Sequence, residues 1–280
     1  MRLIVVMAAV ALFSSVGAAV TEIHDVVYRT VAGLSLALDI CLPDSPGPHP
    51  AILFVHGGAW HTGDKRRLAP LARFLAERGY VGFSVNYRLA PAHKFPAALE
   101  DLRCAVKWIR VHAADYGVDP DRIAAVGTSA GGHLVALLGT APEALAPCGN
   151  LGVSSRVQAV VALFGPMDLL SAVGTPAEAA VESFLGASAR EDPDLWREAS
   201  PITWASADDP PFLLVHGRDD RVVPYEESVR MADALRRAGA EAELLLIPGA
   251  GHGFINRPDT PAALRAVAAI VDFLNRFLGP

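Results

Sequence analysis

Ile123-Ala124-Ala125-Val126-Gly127-Thr128-Ser129-Ala130-Gly131-Gly132-His133-Leu134-Val135-Ala136-Leu137-Leu138 is the stretch on which the reading of this chain turns. It opens as a short apolar run of strand length, passes through Gly-x-Ser-x-Gly, and continues as an apolar segment of helical length. A strand, a tight turn carrying a serine and a helix are the parts of a nucleophile elbow. Gly127 and Gly131 stand two positions to either side of Ser129. Without side chains there, strand and helix can approach while the serine hydroxyl stands clear at the strand end. The bland alternative is a glycine-rich helix entry that binds phosphate or only packs.

Working outward, apolar strand-length runs alternate with helical spacing on both sides of the elbow. Val26–Thr30 and Leu34–Leu42 read as two strands around Ala32-Gly33, and Ala51–His56, Tyr80–Tyr87, Arg122–Val126, Val157–Phe164, Phe212–His216 and Ala242–Ile247 as further strands. Leu68–Arg78, Phe95–Ala114, Ala130–Gly139, Tyr225–Ala238 and Ala262–Leu278 have helical spacing. Pro96 suits the first turn of its helix. Continuously apolar strands are buried on both faces, which predicts an α/β fold with a mostly parallel sheet covered by helices. Residues 20–280 read as a single domain. Met167–Pro210 is the least regular stretch, and so long an insertion predicts a lid or a pocket wall.

A serine hydroxyl needs a base, and the base needs an orienting acid. Two later glycine-rich loops follow apolar strands and supply both. His216-Gly217-Arg218-Asp219-Asp220-Arg221-Val222-Val223-Pro224 offers two adjacent acids. Read as H-G-x-x-D-x-x-V-P, it assigns the role to Asp220 and leaves Asp219 as a capping or solvated residue. Gly249-Ala250-Gly251-His252-Gly253-Phe254 offers His252 as the base. The order Ser129, Asp220, His252 is the Ser–acid–His order of the elbow-bearing folds. His56-Gly57-Gly58-Ala59-Trp60 follows another strand, and glycine-rich backbone can turn its N–H groups toward a developing oxyanion. Ala130, beside the serine, supplies a further N–H. His56 and Gly57 read as support for this loop. Trp60, His133 and Phe254 are candidates for the pocket wall, with Trp60 equally at home in the core. His216 closes a strand; His24, His93 and His112 read as surface or structural residues.

Taken together, HGGAW (56–60), NYRLAPAHKFPAALEDLRCAVKWI (86–109), DPDRIAAVGTSAGGHLVALL (119–138), DDPPFLLVHGRDDRVVP (208–224) and PGAGHGF (248–254) resemble the hormone-sensitive-lipase-like esterases, and within them the bacterial feruloyl- and acetylxylan-esterase-like group. The resemblance runs from about Ile52 to Phe254. It implies an α/β-hydrolase fold with an eight-stranded, mostly parallel sheet, no cofactor or metal, and hydrolysis of short acyl esters. It also implies that Gly58 and Ala59 provide the N–H donors that join Ala130. The sequence departs from the pattern at Ala59, where many relatives carry a third glycine, and at Thr128, where many carry Asp. The short stretch before the first strand leaves little for an N-terminal cap, so a small or minimal lid built from Met167–Pro210 is expected. Rival readings are an arylformamidase or amidase with the same triad, an acetylxylan or feruloyl esterase acting on polysaccharide esters, a serine exopeptidase, and a non-catalytic receptor of the same fold.

Bulk properties agree with a globular enzyme. The 280 residues are 52% hydrophobic and 19% charged, with a net charge of −6. No basic cluster or run of like charge points to nucleic acid. Arg2, the apolar run Leu3–Phe13 and the small residues up to Ala19 have the layout of a secretory signal peptide cleaved after Ala18 or Ala19. That predicts an exported protein with no stable membrane insertion, acting on a small-molecule or polysaccharide ester. Three cysteines forbid full pairing. Cys41 and Cys104 read as core residues, and an oxidising compartment leaves a Cys104–Cys148 bridge open.

Overall fold

The computed structural model describes residues 19–149 and 151–279. The predicted signal peptide, apart from Ala19, lies outside these residues. Eight strands form one sheet: β1 (Val20–Val31), β2 (Leu34–Pro43), β3 (His49–Val55), β4 (Val81–Val85), β5 (Val118–Thr128), β6 (Ala159–Leu163), β7 (Phe212–Gly217) and β8 (Ala242–Ile247). Their spatial order is β1-β2-β4-β3-β5-β6-β7-β8. The β1–β2 hairpin is antiparallel and β2 meets β4 antiparallel; every pairing from β4 to β8 is parallel. This is the expected α/β-hydrolase sheet.

Side-chain alternation along the central strands divides the core in two. On β3, Ala51, Leu53 and Val55 face one side with α2 (Ala97–Val111), α3 (Ala130–Thr140) and α6 (Glu226–Ala238). Ile52 and Phe54 face the other, against α1 (Ala69–Ala76) and α7 (Pro261–Phe277). Both faces are therefore apolar, and the strands read as uninterrupted hydrophobic runs.

The insertion at 167–210 contains two short helices, α4 (Glu178–Leu185) and α5 (Pro193–Glu198), with single 3-10 turns at Leu169–Ala172 and Pro201–Trp204. Trp196 and Phe184 bury this segment onto the α3 side of the sheet. Cys104 is buried in the core, as expected, and the bridge left open by the sequence is formed: Cys104 is bonded to Cys148, tying α2 to the loop before β6, while Cys41 is free and buried. One sequence expectation needs correction. Pro96 caps α2 from outside rather than sitting in its first turn, and the helix ends at Val111 rather than Ala114. Among the described residues, no helix is long and apolar enough to cross a membrane.

Candidate active site

Four loops meet at the C-terminal edge of the parallel strands, where sheets of this type gather their functional groups. Ser129 lies between β5 and α3, at φ 54° and ψ −120°. Such a backbone costs a non-glycine residue about 1–3 kcal/mol and persists only where its surroundings impose it. Here they do. A Cβ on Gly131 would stand 2.1 Å from the Val55 carbonyl oxygen, so α3 starts directly against the end of β3. The Ser129 N–H donates to Leu163 O at 2.9 Å, tying the elbow to β6.

The side chains named from the sequence converge. His252 Nε2 lies 2.9 Å from Ser129 Oγ, and His252 Nδ1 lies 2.7 Å from Asp220 Oδ2. Asp220 follows β7 and His252 follows β8. The other Asp220 oxygen accepts from the N–H groups of Val222 (2.8 Å) and Val223 (3.0 Å). Burial pushes the Asp220 carboxyl up, but hydrogen bonds from His216, His252, Val223 and Val222 outweigh it and hold the group well below the usual carboxylate range. A carboxylate accepts the Nδ1 proton, so Nε2 of neutral His252 faces Ser129 with its lone pair. That arrangement can take a proton from the hydroxyl as Oγ attacks an electrophilic carbon. Asp219 is exposed and its side chain takes no part; its backbone N–H donates to Ala250 O.

The His56–Trp60 loop follows β3 and folds over the elbow. Gly58 has φ 130°, and a Cβ there would stand 2.0 Å from Thr62 O, so this position requires glycine. Ala59 and Trp60 follow in the left-handed region, at φ 51° and 64°. Among the described residues, the N–H groups of Gly58, Ala59 and Ala130 donate to no protein acceptor. Ala130 opens a helix, where the first N–H groups are unpaired and the dipole is positive. His56 is buried, hydrogen-bonded to Gly57 O at 2.9 Å and stacked on Tyr87; burial lowers its pKa to about 4 against the opposing bond to Gly57, so it stays neutral.

The pocket-wall expectation for His133 is corrected. Its side chain is fully enclosed, because α3 turns it into the layer between sheet and insertion, and both ring nitrogens are bonded to protein. Trp60 stacks in the core against Phe184, and Phe254 is buried against Phe164 beneath the His252 loop. Phe164, at φ 41°, sets its ring edge-on to His252 at 4.9 Å. His216 Nε2 lies 3.0 Å from Val223 O and 3.3 Å from Asp220 Oδ2, and Nδ1 bonds Ser228 Oγ at 2.8 Å. Neither Phe164 nor His216 stood out beforehand, since each reads as the end of an apolar strand.

A strained serine between strand and helix, facing an imidazole from the end of β8 that is backed by a carboxylate from the end of β7, belongs to the class of the α/β-hydrolases of serine-hydrolase type. More narrowly, the BD-FAE family model matches residues 38–235, and the chain belongs to that family. It is 35% identical over 242 residues to Esterase LipC of Mycobacterium tuberculosis, covering 82% of this chain and 59% of that protein. The chain thus spans little more than half the length of the curated relatives it matches. Among solved structures it is similar to the esterase Est2 of Thermogutta terrifontis, at 31–32% identity and a TM-score of 0.79, covering 94% of this chain and 96% of that one; this neighbour has been solved with propionate, with butyrate and phosphorylated by paraoxon. It is also similar to a truncated carbohydrate esterase from gut microbiota, at 30% identity and a TM-score of 0.80, covering 93% and 97%.

Proposed function

We propose that this protein hydrolyses short-chain carboxylic esters through a covalent acyl-enzyme on Ser129. The observation that carries the reading is the continuous path from Ser129 Oγ through His252 to Asp220, at 2.9 and 2.7 Å. His252 takes the hydroxyl proton as Oγ adds to the ester carbonyl. The N–H groups of Gly58, Ala59 and Ala130 receive the negative charge that moves onto the carbonyl oxygen. As the tetrahedral intermediate collapses, the carbon–alkoxy bond breaks and His252 hands its proton to the departing alcohol. Water then repeats the sequence on the acyl-enzyme, releasing the acid and restoring Ser129. Asp220 keeps His252 in the required tautomer and stabilises the imidazolium.

Short acyl groups are the expectation of this reading, since Phe184 stacked on Trp60 fills space between the insertion and the oxyanion loop. The propionate- and butyrate-bound forms of the Thermogutta neighbour support the same size. The likeness to a carbohydrate esterase favours a second reading for the alcohol side, a sugar ester. Export is part of the proposal: the signal-like leader and the Cys104–Cys148 bridge both fit an oxidising compartment. Purified protein and its Ser129→Ala variant on p-nitrophenyl acetate and butyrate test the reaction. Turnover by the parent and a loss of ~10³-fold or more in kcat for the variant are expected; parent-level turnover by the variant would end the reading.

A further inference from the structure

The oxyanion loop holds Ala59 and Trp60 in the left-handed region, a conformation that needs outside support. Part of that support comes from the 167–210 insertion, and one buried histidine connects the two. His133 Nε2 lies 2.7 Å from the carbonyl oxygen of Ala199, at the C-terminal end of α5. A carbonyl only accepts, so Nε2 carries the proton. Nδ1 lies 3.2 Å from Trp60 Nε1, and an indole N–H only donates, so Nδ1 offers its lone pair. The two partners together define a single neutral tautomer. Protonating Nδ1 would set two N–H groups against each other, and burial, opposed by the bond to Ala199, lowers the His133 pKa to about 4.

The same loop meets the insertion twice more. The Trp60 ring stacks on Phe184 of α4 at 4.6 Å, and His61 Nε2 lies 2.8 Å from Ser183 Oγ on the same helix. The other His61 ring nitrogen bonds the Ala59 carbonyl oxygen. The Trp60 carbonyl oxygen accepts from the Ala90 N–H at 2.9 Å. Around Ala59 the backbone is held by turn bonds from the His61 and Thr62 N–H groups to the Gly58 carbonyl oxygen, both 3.0 Å, by the Ala90 bond, and by side chains that reach α3, α4 and α5.

We infer that His133 is a positioning residue for the oxyanion hole, which through the Trp60 indole locks the Ala59–Trp60 backbone to the insertion and so aims the Gly58 and Ala59 N–H groups. This deepens the acyl-transfer reading and rests on it. His133 touches no substrate; its effect passes through Trp60. The 167–210 segment then sets the alignment of the donors as well as the shape of the pocket.

The test compares the parent with His133→Leu, His133→Asn and Trp60→Phe on p-nitrophenyl butyrate, with thermal midpoints as a folding control. The second readout is affinity for an aryl trifluoromethyl ketone. Ser129 Oγ adds to its carbonyl carbon, His252 keeps the proton, and the resulting oxyanion occupies the hole without any leaving group. Removing a whole oxyanion donor costs ~10²–10³-fold in kcat, so misaligning one should cost about tenfold. His133→Leu should therefore lose about tenfold in kcat and a similar factor in ketone affinity, with KM within about twofold. His133→Asn should recover part of both losses, because Oδ1 can take the place of Nδ1 as acceptor. Trp60→Phe keeps the stack but lacks the N–H, and should reproduce the loss; adding His133→Leu to it should cost little more.

A folded His133→Leu with parental kcat and ketone affinity would overturn the inference. So would a loss confined to KM, which marks a pocket wall, or a kcat loss without the ketone loss. If His133→Leu does not fold, Trp60→Phe decides alone by the same criteria. The Ser129→Ala control separates the two levels: if it abolishes turnover while the His133 variants match the parent, only this inference fails; if it does not, the acyl-transfer reading fails and this inference with it.

Discussion

Asn in place of Asp220 changes one oxygen for an NH2 and almost no volume, so its effect can be worked from hydrogen bonds alone. Oδ1 faces the fixed N–H groups of Val222 and Val223 at 2.8 and 3.0 Å; Oδ2 faces His252 Nδ1 at 2.7 Å and His216 Nε2 at 3.3 Å. An amide has one acceptor oxygen and must turn its NH2 to one side. Backbone N–H groups cannot change their protonation, whereas His252 can change tautomer. The NH2 therefore faces His252, Nδ1 becomes the acceptor, and the proton moves to Nε2, where it blocks acceptance of the Ser129 proton. A wrong tautomer of this kind costs ~10⁴-fold in kcat. KM should change little, because Asp220 lies behind His252 as seen from Ser129. Asp219→Asn, one residue away and exposed, should stay within about twofold of the parent and shift stability by no more than ~0.5 kcal/mol. Steady-state kinetics of both variants on p-nitrophenyl butyrate, with thermal melts to establish folding, provide the assay. A crippled Asp219→Asn beside an active Asp220→Asn would refute the assignment of the acid.

Three further outcomes are expected. The Cys104–Cys148 bond closes a loop across a separation of 44 residues, worth about 4 kcal/mol in the chain-entropy picture, so Cys104→Ser/Cys148→Ser should melt on the order of 10 °C lower; an unchanged midpoint would show that the bond contributes nothing. His56 and His133 have folded pKa values of about 4 against an unfolded value of ~6.5, so between those limits the unfolded chain binds more protons and acid favours it. Urea unfolding free energy should therefore fall as pH drops from ~6.5 toward ~4, by up to ~1.4 kcal/mol per unit for each histidine, and His133→Asn should flatten the slope; a flat profile in the parent would contradict the burial argument. Across an acyl series, kcat/KM should peak between acetyl and butyryl esters, since a continuing pocket would add ~0.8 kcal/mol, about fourfold, per CH2; a steady rise to dodecanoyl would point instead to a long groove.

The parts legible in the sequence are those that local chemistry dictates. The central runs of β3, β5 and β7 (residues 51–55, 123–126 and 212–215) announce themselves because burial on both faces leaves them no polar position. Ser129 and Asp220 follow two of these strands and His252 follows the half-buried β8, all in glycine-rich turns. Asp220 could be separated from Asp219 only by the spacing to Val223-Pro224, and the structure brings Asp220 to His252. What stayed hidden depends on contacts across the chain. α4 and α5 are short and lie in an Ala-rich stretch with little periodicity. The partner of Cys104 is a distance, which a count of three cysteines does not contain. His133 sits so close to Ser129 in sequence that it reads as a pocket residue, yet the helix turns it away from the serine and under Trp60 and Ala199. His216 reads as the last residue of a strand until the loop folds Asp220 back toward it.

The central claim is that Ser129 carries the covalent intermediate. Stoichiometric treatment with paraoxon, followed by proteolysis and mass spectrometry, tests it most directly. A single diethylphosphoryl group on the peptide holding Ser129, in step with loss of esterase activity and absent from the Ser129→Ala variant, is the result predicted. Inactivation with the label on another residue, or full esterase activity with Ser129 labelled, would contradict it.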